Sequence, residues 1–156
     1  MEDGYLNPYF MQLFPDAIFC RRPAHELYSA GHLIESAIAY HKATGKDKFL
    51  KVMMRYVDCI EKAFITEKTA KFQTPGHEEI ELALVRMYRY TGKKKYLDFY
   101  EGTFWNSIVS SQNPKTGMSM YFQPMATGYF KVFSRPYDNF WCCTGTGMDA
   151  NICDIY

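Results

Sequence analysis

The sequence predicts a mainly α-helical fold that is built from helical hairpins. Apolar residues recur at spacings of three and four along two neighbouring stretches, which is the pattern of one face of a helix. A second pair of such stretches follows at an offset of 47 residues, with the same Thr-Gly-Lys turn at 44–46 and again at 91–93. Repeats of this length are typical of helical-hairpin arrays, either open solenoids or closed α/α toroids.

The first predicted αα-hairpin covers residues 25–64. Its first helix, 25–44, has an apolar stripe made of Leu27, Ala30, Ile34, Ala37, Ile38 and His41. Gly45 then provides a C-terminal stop of the usual glycine kind. The second helix runs from about Asp47 to Phe64, with a stripe of Phe49, Val52, Met53, Tyr56, Val57 and Ile60. Because the linker between them is short, the two helices are expected to pack as antiparallel neighbours.

The second predicted αα-hairpin covers residues 78–110. Its helices are expected over Glu78–Tyr90 and over about Lys94–Ser110, on either side of Gly92. Two such hairpins are too few for a complete array, since units of this kind bury their apolar faces only against neighbours and about three are needed.

The remaining segment, 113–156, changes character. Asn113–Gly117 has the composition of a turn. The aromatic stretches 118–123 and 129–133 predict a short β-hairpin near the C-terminus, and a glycine-spaced loop with Cys142 and Cys143 follows it.

Composition excludes several classes of function. The chain has 156 residues, enough for about one domain. Its 18 basic and 17 acidic side chains leave a net charge of +1, which argues against a nucleic-acid partner. No apolar run reaches the roughly 18 residues of a membrane span. The first residues lack a signal peptide, so we expect a cytoplasmic protein or, if the N-terminus is missing, a secreted or periplasmic one.

The paired cysteines allow two interpretations. Cys142 and Cys143 could bind a zinc ion, which takes thiolates readily, and a zinc-bound thiolate can act as a nucleophile. They could equally be two buried apolar side chains beside Trp141. The odd total of five cysteines is a poor disulfide framework. The other three are expected to be core or surface thiols, namely Cys20, Cys59 and Cys153.

Two histidines stand at matching positions of the two hairpins. His25 stands at the entry to the first hairpin and His77 at the entry to the second, which points to a shared pocket although a lone histidine is more often structural. His32 lies seven residues after His25 and shares its helix face. The glutamates at 78, 79 and 81 are explained by the positive end of their helix, so we expect no catalytic role for them.

Four stretches together resemble one known family. They are Glu-Asp-Gly-Tyr-Leu-Asn at 2–7, His-Glu-Leu-Tyr-Ser-Ala-Gly-His-Leu-Ile-Glu at 25–35, Pro-Gly-His-Glu-Glu-Ile-Glu-Leu-Ala-Leu at 75–84, and Phe-Trp-Cys-Cys-Thr-Gly-Thr-Gly-Met at 140–148. They are similar to the β-L-arabinofuranosidases of glycoside hydrolase family 127, whose catalytic domain is an (α/α)6 toroid followed by β-sandwich domains. The resemblance therefore implies that the hairpins belong to a partial toroid.

The resemblance also implies a chemistry. It is that of a retaining glycosidase, which releases L-arabinofuranose from plant glycans with a zinc-bound cysteine as nucleophile. Carried over by motif, Cys142 would be the nucleophile and a zinc ligand, and Cys143 a second ligand. His25 and His77 would hydrogen-bond the hydroxyls of an arabinofuranosyl carbohydrate.

The chain departs from the family pattern in its middle. A Glu-x-Cys motif supplies two further zinc ligands in the family, and none occurs here. The acid/base glutamate belongs to the same missing region, and the N-terminal helices, middle helices and β-sandwich domains are absent as well. We therefore expect a truncated or internally deleted member with an incomplete zinc site, no activity of its own, and exposed toroid faces that favour self-association.

Two other classes of protein remain as alternatives. The first is a helical-repeat protein-interaction module without catalysis, in which the paired cysteines are incidental. The second is a small zinc protein that completes its metal site with Cys20 or Cys59, although nothing in their spacing favours it.

Overall fold

The computed structural model describes residues 2–73, 75–77, 79–105, 109–120, 127–130 and 132–133. These residues are mainly helical, as the sequence predicts. In these ranges the α-helices are α1 (Pro8–Leu13), α2 (Glu26–Thr44), α3 (Lys48–Glu61), α4 (Ile80–Thr91) and α5 (Lys95–Thr103). Short 3-10 turns lie at Pro15–Ala17, Arg22–Ala24 and Val109–Ser111, and a π-helical turn, Lys62–Thr66, extends α3.

The apolar stripes of α2 and α3 form the centre of the core. All five aliphatic residues of the predicted α2 stripe are buried, and Met53, Tyr56, Val57 and Ile60 of α3 pack against them. Val52 is the exception, because it is 37% exposed and Leu50 takes the buried position instead. Leu50 shares a helix face with Met53, Val57 and Ile60, at spacings of three, seven and ten residues, whereas Val52 lies at the edge of that face.

The first helix of each hairpin ends in the same kind of C-terminal glycine cap. Gly45 and Gly92 adopt left-handed conformations, with φ/ψ of 70°/0° and 71°/6°, and their N–H groups donate to the carbonyls four residues earlier at 2.8 and 2.7 Å. The preceding residues, Thr44 and Thr91, each donate a side-chain hydrogen bond of 2.7 Å back into the helix. The sequence repeat at an offset of 47 is therefore also a repeat of hydrogen bonds.

The last helix of the second hairpin is shorter than the sequence predicts. Its last helix, α5, ends at Thr103 rather than near Ser110, and a separate 3-10 turn follows at Val109–Ser111. Lys95 lies in the first turn of α5, where its ammonium group donates to the carboxylate of Asp58 on α3 and so connects the two hairpins.

The packing of α2 against α4 joins the hairpins. Arg86 of α4 pairs with Glu35 of α2 at 2.8 Å. Near the helix ends, the Nδ1 atom of His41 lies 2.5 Å from the hydroxyl oxygen of Tyr90. Because His25 and His77, which precede the two helices, also meet, α2 and α4 run in the same direction and begin side by side.

The N-terminal segment is attached to the start of α2 by a buried carboxylate. Glu26 is only 2% exposed and accepts hydrogen bonds from the Tyr5 hydroxyl and from the N–H of Phe19, the latter at 3.0 Å. Burial raises the pKa of the Glu26 carboxyl, and these two hydrogen bonds oppose that rise. Burial also raises the pKa of the Tyr5 phenol, which keeps it protonated as a donor.

The described part of the C-terminal segment contains a turn and no strand. Gly117 donates to the carbonyl of Asn113 at 2.8 Å, which closes the predicted turn, and Ser119 then forms an isolated antiparallel bridge with Gln112. Residues 118–120 thus pair with residues 111–113, because the tight turn between them brings these two stretches side by side. The predicted partner stretch, 129–133, forms no strand at its described positions.

Several predictions fall outside the described residues. They include the paired cysteines at 142 and 143, Cys153, and most of the predicted β-hairpin. The closed toroid and this β-hairpin therefore stay predictions. None of the helices in the described ranges is both long enough and apolar enough to cross a bilayer.

The repeated cap gives a first prediction. Gly45→Ala and Gly92→Ala should each lower the free energy of unfolding by about 1 kcal/mol, because alanine is strained at a left-handed position. An added Cβ meets nothing within 4 Å at either site, so backbone strain alone sets the loss. Urea unfolding measures it. Gly45→Asn is the matched control, since asparagine tolerates this conformation. Equal stability of the Ala and Asn variants would contradict the assignment.

The buried carboxylate gives a second prediction. Because the folded state raises the pKa of Glu26 above its ordinary value of 4.5, its favourable contribution is complete at low pH and is lost as the pH rises through the folded pKa. The stability of Glu26→Gln relative to the natural chain should therefore increase with pH above that ordinary value. Urea unfolding across this range tests it, and a relative stability that stays flat or falls would show that burial does not dominate.

Candidate active site

His25 occupies a strained position at the start of α2. It is the residue before the helix and has a left-handed backbone conformation, with φ 60° and ψ 20°. A residue other than glycine adopts this conformation at a cost of about 1–3 kcal/mol and is held there by its surroundings. Its carbonyl accepts the N–H of Ser29 at 2.9 Å, so the strained residue also starts the helix.

His77 lies directly against His25. It stands three residues before α4, and the two imidazole rings stack with centroids 4.5 Å apart and an interplanar angle of 24°. The structure thus brings together the two histidines that the sequence placed at matching positions. His25 is exposed and His77 is half-buried, so the stack is open to solvent.

Tyr28 connects three histidines. Its ring centroid lies 5.8 Å from that of His25, 5.6 Å from that of His77 and 4.6 Å from that of His32. Sequence reasoning did not single out Tyr28. A signal was present, because positions 25, 28 and 32 follow the i, i+3, i+7 spacing of one helix face.

The segment that carries His77 is attached to the turn before His25. The Nε atom of Arg22 donates to the carbonyl of Pro75 at 3.2 Å. The next residue, Gly76, sits so close that a Cβ there would lie 2.7 Å from the carbonyl oxygen of Arg22.

The same segment is attached to α2 on its other side. A Cβ on Gly31 would lie 2.7 Å from Cγ of Glu79, so the helix and this residue are in direct contact. The Oε1 atom of Glu79 also pairs with Nδ1 of His32 at 3.1 Å. His77 therefore lies between two points of attachment to the chain around His25.

The glutamates before and within α4 do more than face the positive end of a helix. Glu79 is 6% exposed and Glu81 is fully buried. The carboxylate of Glu81 accepts the N–H of Glu79 at 3.0 Å, which satisfies a backbone donor at the start of the helix. The sequence predicted only a favourable electrostatic position at the start of the helix. In the structure Glu79 and Glu81 are also buried and held by specific contacts. Glu78 lies outside the described residues.

This arrangement has the chemistry of a polyol-binding surface. Imidazole nitrogens donate and accept hydrogen bonds, as sugar hydroxyls require, and the ring faces of His25, His77 and Tyr28 offer apolar contact to C–H groups. The rings lie at the edge where α2 and α4 begin, and they are accessible from outside.

The described cysteines do not form a metal site. Burial raises the pKa of the Cys59 thiol to about 11, which keeps it protonated, and the thiol of Cys20 donates to the carbonyl of Ile18 at 3.5 Å. Within the described ranges, no three His, Cys, Asp or Glu side chains lie close enough together to hold a metal ion. Cys142 and Cys143 lie outside these ranges.

Three known proteins resemble this chain in sequence, and two of them have solved structures that also resemble its fold. A β-L-arabinofuranosidase from Bifidobacterium longum subsp. longum, described as acting at the non-reducing end, is 40% identical over 104 residues, or 62% of this chain. A crystal structure of a GH127 β-L-arabinofuranosidase from Geobacillus stearothermophilus T6 matches with a TM-score of 0.62 and 41% identity over 73% of this chain. A second GH127 β-arabinofuranosidase structure matches with a TM-score of 0.56 and 32% identity over 72%.

The chain spans a small share of these relatives. It covers 15% of the Bifidobacterium protein and 18% and 19% of the two solved chains.

The family model for the GH127 β-L-arabinofuranosidase catalytic domain matches residues 1–99 and, in a second stretch, residues 93–152. Together the two stretches include both helical hairpins, both stacked histidines and the paired cysteines. The chain belongs to the GH127 β-L-arabinofuranosidase family of glycoside hydrolases.

Proposed function

We propose that this chain carries the sugar-binding wall of a retaining β-L-arabinofuranosidase site. The observation that most supports this is the stacking of His25 on His77 beside Tyr28. These rings lie where α2 and α4 begin, in a chain that belongs to a glycosidase family. In this proposal the two imidazoles hydrogen-bond the hydroxyls of an L-arabinofuranosyl unit. Tyr28 limits how far the rings can turn.

The proposed reaction of the complete site is a double displacement. The thiolate of Cys142 forms a bond to the anomeric carbon as the glycosidic C–O bond breaks, and the departing alcohol takes a proton from a carboxylic acid. Water then replaces the sulfur, its proton returns to the carboxylate, and the configuration of the sugar is retained.

We further propose that this chain does not complete that reaction by itself. Cys142 and Cys143 give zinc two of about four ligands. The chain has no Glu-x-Cys motif to supply the others. An uncoordinated thiol, with a pKa of about 8.5, is mostly protonated at neutral pH and is then a poor nucleophile.

The way in which the family model matches supports an internal deletion. Its two stretches overlap at residues 93–99, and this overlap falls in the turn before α5 and the first half of that helix. We propose that α5 is the point where two regions of the family domain, separated in longer members, have been joined.

One observation favours a second function, a protein-interaction module. Large apolar side chains are exposed on α1 and after α5: Leu13 is 61% exposed and Trp105 is 59% exposed. Such surfaces favour association, either with copies of this chain or with another protein. An L-arabinose titration distinguishes the two functions, since an interaction module without catalysis has no sugar site and binds no L-arabinose.

The catalytic proposal gives a third prediction. The purified chain should release no L-arabinose from aryl or oligosaccharide β-L-arabinofuranosides, and it should hold much less than one zinc ion per chain after dialysis. Cys142→Ala with Cys143→Ala should change neither result. Arabinose release that disappears in this double variant, or one tightly held zinc ion that it loses, would show that the chain completes the site.

The binding proposal gives a fourth prediction. His77→Ala should weaken the binding of L-arabinose by about tenfold, because each lost hydrogen bond costs about 1 kcal/mol and the facing ring also loses its partner. A titration followed by NMR chemical shifts measures this weak binding. His41→Ala is the matched control, since His41 contacts Tyr90 at the other end of the helices. Equal affinities for the two variants would contradict the proposed sugar contact.

A further inference from the structure

We propose that Arg22 and Glu79 are positioning residues, which hold the 75–79 segment at both ends so that the His77 ring stays stacked on His25. This inference rests on the proposed function, because positioning matters only if the two rings bind a sugar. The ring geometry can nevertheless be measured without any sugar.

Arg22 holds the first end of the segment. Its Nε atom donates to the carbonyl of Pro75, a buried residue, at 3.2 Å, while the Arg22 carbonyl closely faces Gly76. Arg22 belongs to the 3-10 turn Arg22–Ala24, which leads directly into His25. Arg22 therefore connects the 3-10 turn that precedes His25 to Pro75 and Gly76, which precede His77.

Glu79 holds the second end. Its side chain rests on the backbone of α2 at Gly31, where no Cβ would fit, and its carboxylate pairs with His32 at 3.1 Å. His32 also contacts the edge of Tyr28, whose ring in turn contacts His77. Glu79 thus fixes both the backbone after His77 and, through His32, the ring beside it.

Residues 75–77 and 79 need this support because they lie outside any helix. They lie in the connection between the π-helical turn that ends at Thr66 and the start of α4 at Ile80. The stacked rings offer contact over one face only, and His25 is exposed. Attachment at Pro75 and at Glu79 therefore restricts how far His77 can move away from His25.

The test is an NMR measurement of ring proximity in the full chain. In the natural protein we expect cross-relaxation between the ring protons of His25 and His77, together with shifts caused by their stacked ring currents. Arg22→Gln and Glu79→Gln should each lose the cross-peak and move both imidazole shifts toward those of free histidine. Circular dichroism should show unchanged helix content in both variants.

Two control variants match these substitutions. Arg21→Gln changes the neighbouring exposed arginine, and Glu101→Gln changes an exposed carboxylate on α5. Both should keep the cross-peak. Because Glu79 is buried and its substitution could unfold the chain, His32→Ala provides a second variant that removes the same ion pair from its exposed side.

The inference is overturned if Arg22→Gln and His32→Ala both keep the cross-peak and the natural imidazole shifts. An L-arabinose titration of the same variants tests the proposed function separately from the positioning roles. Loss of the cross-peak together with a fall in affinity of about fivefold, the effect of one weakened hydrogen bond, supports both. Loss of the cross-peak in a chain that binds no L-arabinose supports the positioning roles and contradicts the sugar site.

Discussion

The contact between α2 and α4 is the interaction on which the rest of the structure depends. Ala30, Ile34 and Ala37 of α2 have no exposed surface, and Ala83 and Met87 of α4 are equally buried, so the two helices share one core. Because they run side by side in the same direction, whatever precedes one helix meets whatever precedes the other. The meeting of His25 and His77 is therefore a consequence of how the two hairpins pack, and any loss of that core would separate the site.

The regular parts of this arrangement could be predicted from the sequence because they follow from periodic burial and from glycine. The apolar spacing predicted α2, and Gly45 and Gly92 predicted where the first helices of the hairpins end. The meeting of the two histidines was also anticipated, because each stands at the entry to its hairpin. The repeat itself does not superimpose them, since they are 52 residues apart and its offset is 47. These features depend on local spacing, which a single sequence displays directly.

The irregular parts could not be predicted, because long-range contacts decide them. Phe19 and His25 have left-handed conformations that favour glycine, and both are next to or bonded to the buried carboxylate of Glu26. Nothing in the local sequence reveals that Tyr5 supplies the second hydrogen bond to this group. The Arg22–Pro75 contact likewise joins residues that are far apart in the chain. Strain of this kind persists only where several contacts together hold it.

The energies explain why the site needs a whole domain around it. A stacked ring pair is worth about 0.5–1.5 kcal/mol, whereas ordering each residue of a loop costs about 1–2 kcal/mol. The stack therefore cannot order the 75–79 segment by itself, and the contacts of Arg22, Gly31 and Glu79 must contribute. The same reasoning applies to a bound sugar. Two hairpins present it with one wall, and a ligand held from one side forms few of the hydrogen bonds that an enclosing site provides. The proposed joining of the chain at α5 would therefore account for both the weak sugar binding and the lack of turnover that we propose.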